Sequence, residues 1–248
     1  MLNTVAPGGK GNYYPAMTYE TAMLALAMAL FVGTHIGLPE PKLRNAVTAR
    51  IGENGYLAVY SVLSIVLLAW VIIAYKAAPY VEIWIANTGM RHASLSLMLI
   101  AAFFLITGMT TRNPSTVQAA KLGWKPDASG VFKITRHPVM WAGILWSVAH
   151  MLANGDLAAI ILFGGIGVLS LLGALHLDRR KRAALGDEWA AFQAETSFIP
   201  LGAIATGRTR MERGEIPWWQ SLGAVVLYIA MLFVHARLGY DVFPLAFF

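Results

Sequence analysis

The sequence predicts an all-α fold: a polytopic membrane helical bundle with about six transmembrane helices. Two observations support this prediction. Hydrophobic residues make up 57% of the 248 positions and charged residues only 13%, whereas a soluble globular domain carries about 25% charged residues. The mean hydropathy is +0.58, and several apolar runs have the length of roughly 17–25 residues that a helix needs to cross a bilayer.

Six apolar runs define the predicted spans. In chain order they cover residues 22–38, 56–74, 95–110, 139–153, 157–177 and 216–236. The fourth and fifth runs are separated only by Asn154-Gly155-Asp156, a sequence with typical turn residues. We therefore expect these two spans to form a tight helical hairpin.

The spans belong to one membrane domain, residues 18–238, between an external N-terminal tail (1–17) and a C-terminal tail (239–248). A cytoplasmic loop is expected at 178–215. Within it, residues 182–195 place Leu185, Trp189 and Phe192 at helical spacing. This pattern predicts an amphipathic helix that lies in the headgroup region.

Basic residues predict the orientation of the chain. Fifteen of the 19 Lys and Arg residues fall in the loops between spans 1–2, 3–4 and 5–6. Because basic loops stay in the cytoplasm, both termini are expected on the periplasmic side of a bacterial inner membrane. The net charge of +6 then serves membrane anchoring, so the lipid bilayer is the expected partner and nucleic acid is not. The oligomeric state is left open.

The absence of cysteine narrows the possible chemistry. With no cysteine in the chain, a thiolate ligand, an iron–sulfur cluster and covalent C-x-x-C-H haem attachment are excluded. The sequence also lacks a phosphate-binding loop, a dinucleotide-binding glycine pattern, H-E-x-x-H and a nucleophile elbow.

Two of the six histidines are candidate cofactor ligands, His35 and His150. An ionisable side chain at bilayer depth is costly and marks a site, and neutral imidazole is the commonest metal ligand in proteins. Small neighbours leave room for a flat macrocycle or a polyene: Gly33 and Gly37 beside His35, and Gly143 and Ser147 beside His150. A hydrogen-bonded structural histidine remains the alternative at both positions.

The predicted depths of these two histidines conflict with a shared metal. His35 lies near the cytoplasmic end of span 1, whereas His150 lies roughly 20 Å along span 4 from its cytoplasmic start. On this topology one iron does not reach both rings. The sequence assigns His92 and His235, at outer helix ends near Arg91 and Arg237, to the headgroup region.

A second candidate site is the pair Arg136 and His137. Pro138, which follows them, is ordinary at the start of a helix, so a purely structural role is open. An Arg-His pair is equally suited to a phosphate- or carboxylate-binding corner.

At these residues the chain resembles the NnrU family of bacterial membrane proteins. The resemblance covers about residues 20–210. It rests on Phe31–His35, Arg112–Pro114, Thr135–Pro138, Leu145–Asp156, Leu162–Gly164 and Thr196–Pro200. It implies haem b and a cis–trans isomerase of the ζ-carotene isomerase type, which acts on an apolar polyene. The haem-iron ligands that it implies are His35 and His150. The family name also suggests an alternative, a non-enzymatic accessory protein of nitrite and nitric-oxide respiration (denitrification).

A fainter resemblance is to the isoprenylcysteine and phospholipid methyltransferases. It rests on Arg136-His137-Pro138, Leu185–Trp189 and Ile199-Pro200, and it implies a membrane methyltransferase that depends on S-adenosylmethionine. The chain departs from that pattern, because Met140 stands where a tyrosine is expected and basic residues 179–182 replace glutamates. The methyltransferase is therefore the third hypothesis.

Overall fold

The structure is a computed structural model that describes residues 18–112 and 126–240. Helices account for nearly all regular structure in these ranges, with one isolated bridge between Glu82 and Asp156. The all-α prediction is confirmed. The predicted tail 1–17 and most of the predicted tail 239–248 lie outside the described residues.

The described ranges contain nine helices. They are α1 (Tyr19–Gly37), α2 (Pro41–Ala77), α3 (Thr88–Thr110), α4 (Val131–Ile134), α5 (Pro138–Asn154), α6 (Leu157–Leu185), α7 (Asp187–Glu195), α8 (Gly202–Ala205) and α9 (Trp218–Arg237).

Five of these helices are long and apolar enough to cross a membrane: α1, α2, α3, α6 and α9. That is one fewer, within the described residues, than the six predicted spans. The remaining predicted span forms α5, which has 17 residues. At 1.5 Å per residue it is about 25 Å long, slightly less than the roughly 30 Å hydrocarbon core of a bilayer. It packs against α3 on one side and α6 on the other.

Capping side chains and glycines set the helix boundaries. Thr18, Asn87 and Asp156 each accept a hydrogen bond from the backbone N–H three residues later, at the starts of α1, α3 and α6. These contacts satisfy N–H groups that have no partner inside a helix. Within α2, Gly52 has a φ of 74°, so a short N-terminal arm meets the predicted second span at a kink.

The predicted hairpin between spans 4 and 5 is confirmed. Gly155 turns the chain with a φ of 71°, and its carbonyl accepts hydrogen bonds from the N–H groups of Ile83 (2.8 Å) and Trp84 (3.0 Å). Leu157 N donates in turn to Val81 O at 2.9 Å. The segment before α3 is thereby tied across the turn. We call this end of the bundle the hairpin end, and the opposite end, which carries Arg179–Arg182, the basic end.

The amphipathic helix differs from its prediction in extent and in surroundings. Helix α6 continues to Leu185, and α7 begins only at Asp187, because Gly186 breaks the helix with a φ of 52°. Trp189 is 0% exposed and its ring lies 5.1 Å from that of Phe192, which in turn lies 6.1 Å from Phe132. The apolar face of α7 is therefore packed against protein side chains, and the depth of this helix relative to the lipid headgroups stays a prediction.

The outer surface of the bundle is apolar. On α2, Val62, Ile65 and Ile73 are each more than 60% exposed, as is Phe233 on α9. Soluble monomers rarely expose contiguous apolar patches of more than a few hundred Å². An apolar exterior over helices whose backbone groups bond internally is what a lipid environment requires.

Candidate functional site

The described residues form a cavity of about 420 Å³ at the hairpin end. It lies between α3, α5 and α9, with Tyr75 of α2 and Phe163 of α6 completing its wall. Apolar and aromatic side chains provide most of the lining, and the polar groups include Arg91, His150 and His235. Its size and composition fall in the usual range for small-molecule sites, about 300–1,000 Å³ with a few placed polar groups.

His150 lies in the wall of this cavity. Its ring packs against Trp146 (4.5 Å between centroids) and Phe163 (4.7 Å). Nδ1 is 2.8 Å from the carbonyl oxygen of Trp146. Because a carbonyl only accepts hydrogen bonds, Nδ1 carries a proton, and in the neutral ring the lone pair then lies on Nε2. In that form His150 would offer Nε2 as a ligand.

His35 lies elsewhere, near the basic end of α1. Its ring packs against Phe31 (4.2 Å between centroids) and Tyr60 of α2 (5.5 Å), and Nδ1 donates to the carbonyl oxygen of Phe31 at 2.7 Å. It is not among the residues that line the cavity.

The separation of His35 and His150 follows from the contact between α1 and α6. Both helices run from the hairpin end to the basic end, because Met28 meets Gly165 and, further along, Glu40 meets His176. His35 lies seven residues beyond Met28, and His150 packs on Phe163, two residues before Gly165. At 1.5 Å per residue the two histidines differ by about 13 Å along the bundle. The structure does not bring together the pair that the resemblance implies, in agreement with the depth conflict in the sequence.

The small residues near the two histidines do not form one slot. A methyl group added at Gly33 or Gly37 meets no atom within 4 Å, so these glycines face open surface. A methyl group at Gly143 would lie 2.3 Å from the Ser170 hydroxyl, and Ser147 is buried with its hydroxyl on the Gly143 carbonyl. Gly143 and Ser147 therefore let α5 and α6 approach closely, as small residues do between membrane helices. The prediction that Gly143 and Ser147 leave open space beside His150 is therefore wrong.

Arg136 and His137 converge on one carboxylate at the basic end. Arg136 donates to Asp178 through Nε (2.9 Å) and Nη2 (2.6 Å), and His137 Nε2 lies 2.9 Å from Asp178 Oδ1. The side chains of Arg136 and Asp178 are each 13% exposed, and that of His137 is 0% exposed. The Phe198 ring packs against both basic groups.

The Asp178 carboxylate of this cluster is already bound by both basic groups, although His137 Nδ1 is buried without a hydrogen-bond partner among the described residues. A phosphate or carboxylate ligand at Arg136 would first have to displace Asp178, so the anion-binding interpretation has no open corner to support it. The cluster instead ties the start of α5 to the end of the α6 span and, through the bond from Arg136 N to Ser197 O (2.9 Å), to the segment after α7.

His235 is the cavity residue that the sequence interpretation missed. It is half-buried in the last turn of α9, with its ring centroid 6.2 Å from that of His150. The sequence did not predict that this histidine lines the cavity, and its position among lipid headgroups stays a prediction. One sequence signal points to it: Tyr228, Met231, Leu232 and His235 occur at i, i+3, i+4 and i+7, the spacing of one helix face, and all four line the cavity.

Sequence comparisons connect this arrangement to known proteins. The chain is similar to the 15-cis-zeta-carotene isomerase, chloroplastic, of Zea mays, with 27% identity over 202 residues. The corresponding protein of Arabidopsis thaliana is 28% identical over 192 residues. These matches cover 79% and 76% of this chain but only 54% and 52% of the relatives. The chain therefore spans about half the length of the curated relatives that it matches.

No solved structure matches the chain significantly. The family profile described as NnrU protein matches residues 23–242, which is most of the chain and includes every helix that encloses the cavity. The chain belongs to the NnrU family.

Proposed function

We propose that this protein is an integral membrane isomerase that converts a cis double bond of an apolar polyene of the ζ-carotene class, with haem b in the cavity beside His150. The observation that carries the proposal is the cavity: an apolar site with an available imidazole nitrogen, in a chain similar to 15-cis-zeta-carotene isomerases. We propose a bacterial inner-membrane location, and in such a membrane the distribution of basic residues supports placing the basic end in the cytoplasm. The cavity then opens towards the periplasmic side.

The chemistry fits these residues. Substrate and product of an isomerisation contain the same atoms and electrons, so no net oxidant or reductant is consumed. A haem iron, when bound, would supply one-electron chemistry that lowers the order of the double bond. Trp146 and Phe163 provide flat apolar walls that orient a polyene and exclude water, while His150 offers its Nε2 lone pair to the metal. Arg91 in the lining complements the carboxylates of a haem.

The proposal is tested in cells that accumulate 15-cis-ζ-carotene. In darkness, because light itself isomerises polyenes, expression of the protein should raise the fraction of the product isomer in chromatograms of extracted pigments at least tenfold over the empty vector. The His150→Ala variant should give the vector value at the same protein level. An isomer ratio unchanged by the wild-type protein contradicts the proposal. If the purified protein still carries haem in that case, the non-enzymatic accessory role is supported.

A bulky side chain at the cavity should reduce isomerisation without unfolding the bundle. Ala153 lines the cavity and is exposed, so Ala153→Trp fills part of the site without overpacking a buried contact. We expect at least a fivefold loss of product in the same assay, because the polyene and the indole compete for one volume. Ala93→Trp is the matched control, since Ala93 is exposed on α3 but does not line the cavity. Equal losses in both variants would argue that the substrate binds elsewhere.

A further inference from the structure

His235 and His150 face one cavity from different helices. His150 belongs to α5 and His235 to α9, and their ring centroids lie 6.2 Å apart with an angle of 42° between the ring planes. Each helix contributes aromatic neighbours: Trp146 beside His150 and Tyr240, just past α9, beside His235 at 6.1 Å. The two imidazoles are therefore closer to each other than either is to His35.

Both rings have the same hydrogen-bonding state. His235 Nδ1 donates to the carbonyl oxygen of Met231 at 2.7 Å, as His150 Nδ1 does to that of Trp146 at 2.8 Å. In the part of the chain that the structure describes, no hydrogen bond engages Nε2 of either ring. A backbone carbonyl on Nδ1 is the partner that fixes the tautomer and orientation of a metal-binding histidine.

The spacing suits a metal between the rings. Imidazole nitrogen binds a transition metal at about 2.0–2.1 Å, so two histidines on opposite sides of one ion place their ring centroids about 6–6.5 Å apart. The observed 6.2 Å lies within this range. On the helix rise, His35 lies about 13 Å further along the bundle than His150, which is too far for one metal to be ligated by both.

The donor set favours a metal that brings further ligands of its own. Within residues 18–112 and 126–240, no group of three or more His, Cys, Asp or Glu side chains could hold a bare ion. Protein sites for zinc use three or four such ligands. Two imidazoles without a third such donor beside them among the described residues would suit a metalloporphyrin, because its macrocycle supplies the other donors to the metal.

We infer that His235 and His150 are the two residues that would hold the haem iron, in place of the pair His35 and His150. This inference rests on the proposed haem content and identifies which residues of this chain hold the metal. It also places the iron at the hairpin end, within the cavity that Arg91 lines. His35 then has a packing role against Phe31 and Tyr60.

The test is spectroscopic and needs no turnover. Purified protein in detergent is titrated with ferric protoporphyrin IX, and its visible and low-temperature electron paramagnetic resonance spectra are recorded with and without dithionite. The wild type should give a low-spin, six-coordinate spectrum at one haem per chain. His235→Ala should convert the ferric form to high spin, and added imidazole should restore the low-spin bands. His35→Ala should leave the spectrum unchanged, and the exposed His92→Ala is the matched control.

Each outcome separates the ligand assignment from the proposed function. A low-spin spectrum that survives in His235→Ala, or one that is lost in His35→Ala instead, overturns the assignment and supports the pair implied by the resemblance. Protein that takes up no haem overturns it as well, and the polyene assay then decides the isomerase proposal independently. If the spectra behave as expected but no isomerisation occurs, the ligand pair is confirmed and the proposed enzymatic function is contradicted. Tryptophan fluorescence and gel filtration identify any variant that is unfolded, in which case His235→Gln replaces it.

Discussion

Replacing Asp178 with alanine should lower the free energy of unfolding by about 3–5 kcal/mol, the usual cost of removing one partner from a buried ion pair. Arg136 and His137 both point at this carboxylate, and their side chains are 13% and 0% exposed. Without it, a guanidinium and an imidazole lose their acceptor in a site from which water is largely excluded. Asp178→Asn keeps the shape and removes the charge, so its loss should be intermediate.

The measurement uses intrinsic tryptophan fluorescence during thermal or denaturant unfolding in detergent, since the chain has eight tryptophans and no cysteine for thiol-reactive dyes. Asp187→Ala is the control, because Asp187 is exposed in the first turn of α7, where its interaction with the helix dipole is worth about 0.3–1 kcal/mol. If Asp178→Ala lowers the free energy of unfolding no more than Asp187→Ala does, the ion cluster around Asp178 does not stabilise the protein.

Gly155→Ala should destabilise the protein by about 2–5 kcal/mol, through two additive causes. The φ of 71° is unfavourable for any residue with a Cβ, at about 1–2 kcal/mol. The new methyl group would also lie 2.1 Å from the carbonyl oxygen of Trp84, a backbone atom that moves only if the segment tied across the hairpin moves. Such forced displacement costs about 1–3 kcal/mol.

Gly207→Ala isolates the first cause. Gly207 has the same φ of 71°, but an added methyl group there meets no atom within 4 Å. The difference between the two variants in the same unfolding experiment measures the collision alone. Hydrogen exchange at the amides of Ile83 and Trp84 provides a second readout, since both bond to Gly155 O and should lose protection only in Gly155→Ala. If the two substitutions lower the free energy of unfolding equally, the contact with Trp84 O contributes nothing to the effect of Gly155→Ala.

The helices of this protein were largely predictable, because apolar runs and turn residues act locally. The run 157–177 and the turn at Gly155 place α6 and its hairpin correctly. The surroundings of α7 were not predictable in the same way. An apolar stripe of Leu185, Trp189 and Phe192 has the same periodicity whether lipid or protein covers it, and only the tertiary position of Phe132 decides between them.

The candidate site was predictable in part for a similar reason. His150 stands out in the sequence because it is ionisable within an apolar run. His235 does not, because it is followed closely by Arg237 at a helix end, and its proximity to His150 depends on how α9 packs against α3. Glycines beside His35 and His150 suggested open space at both, but helix packing fills the space at Gly143 and leaves that at Gly33 on the surface. Spacing identifies which residues share a face and not what that face meets.

The ion cluster at the basic end bears on how the chain enters the membrane during synthesis. Helix α5 is at the lower limit of length for an independent span, and Arg136 stands immediately before it. Its partner Asp178 is synthesised 42 residues later, after the hairpin turn and the first 21 residues of α6. The charge next to the weakest span is therefore neutralised only when the following span has been made. We therefore expect α5 and α6 to enter the bilayer as a pair, because the ion pair between Arg136 and Asp178 forms only after the second helix has been made.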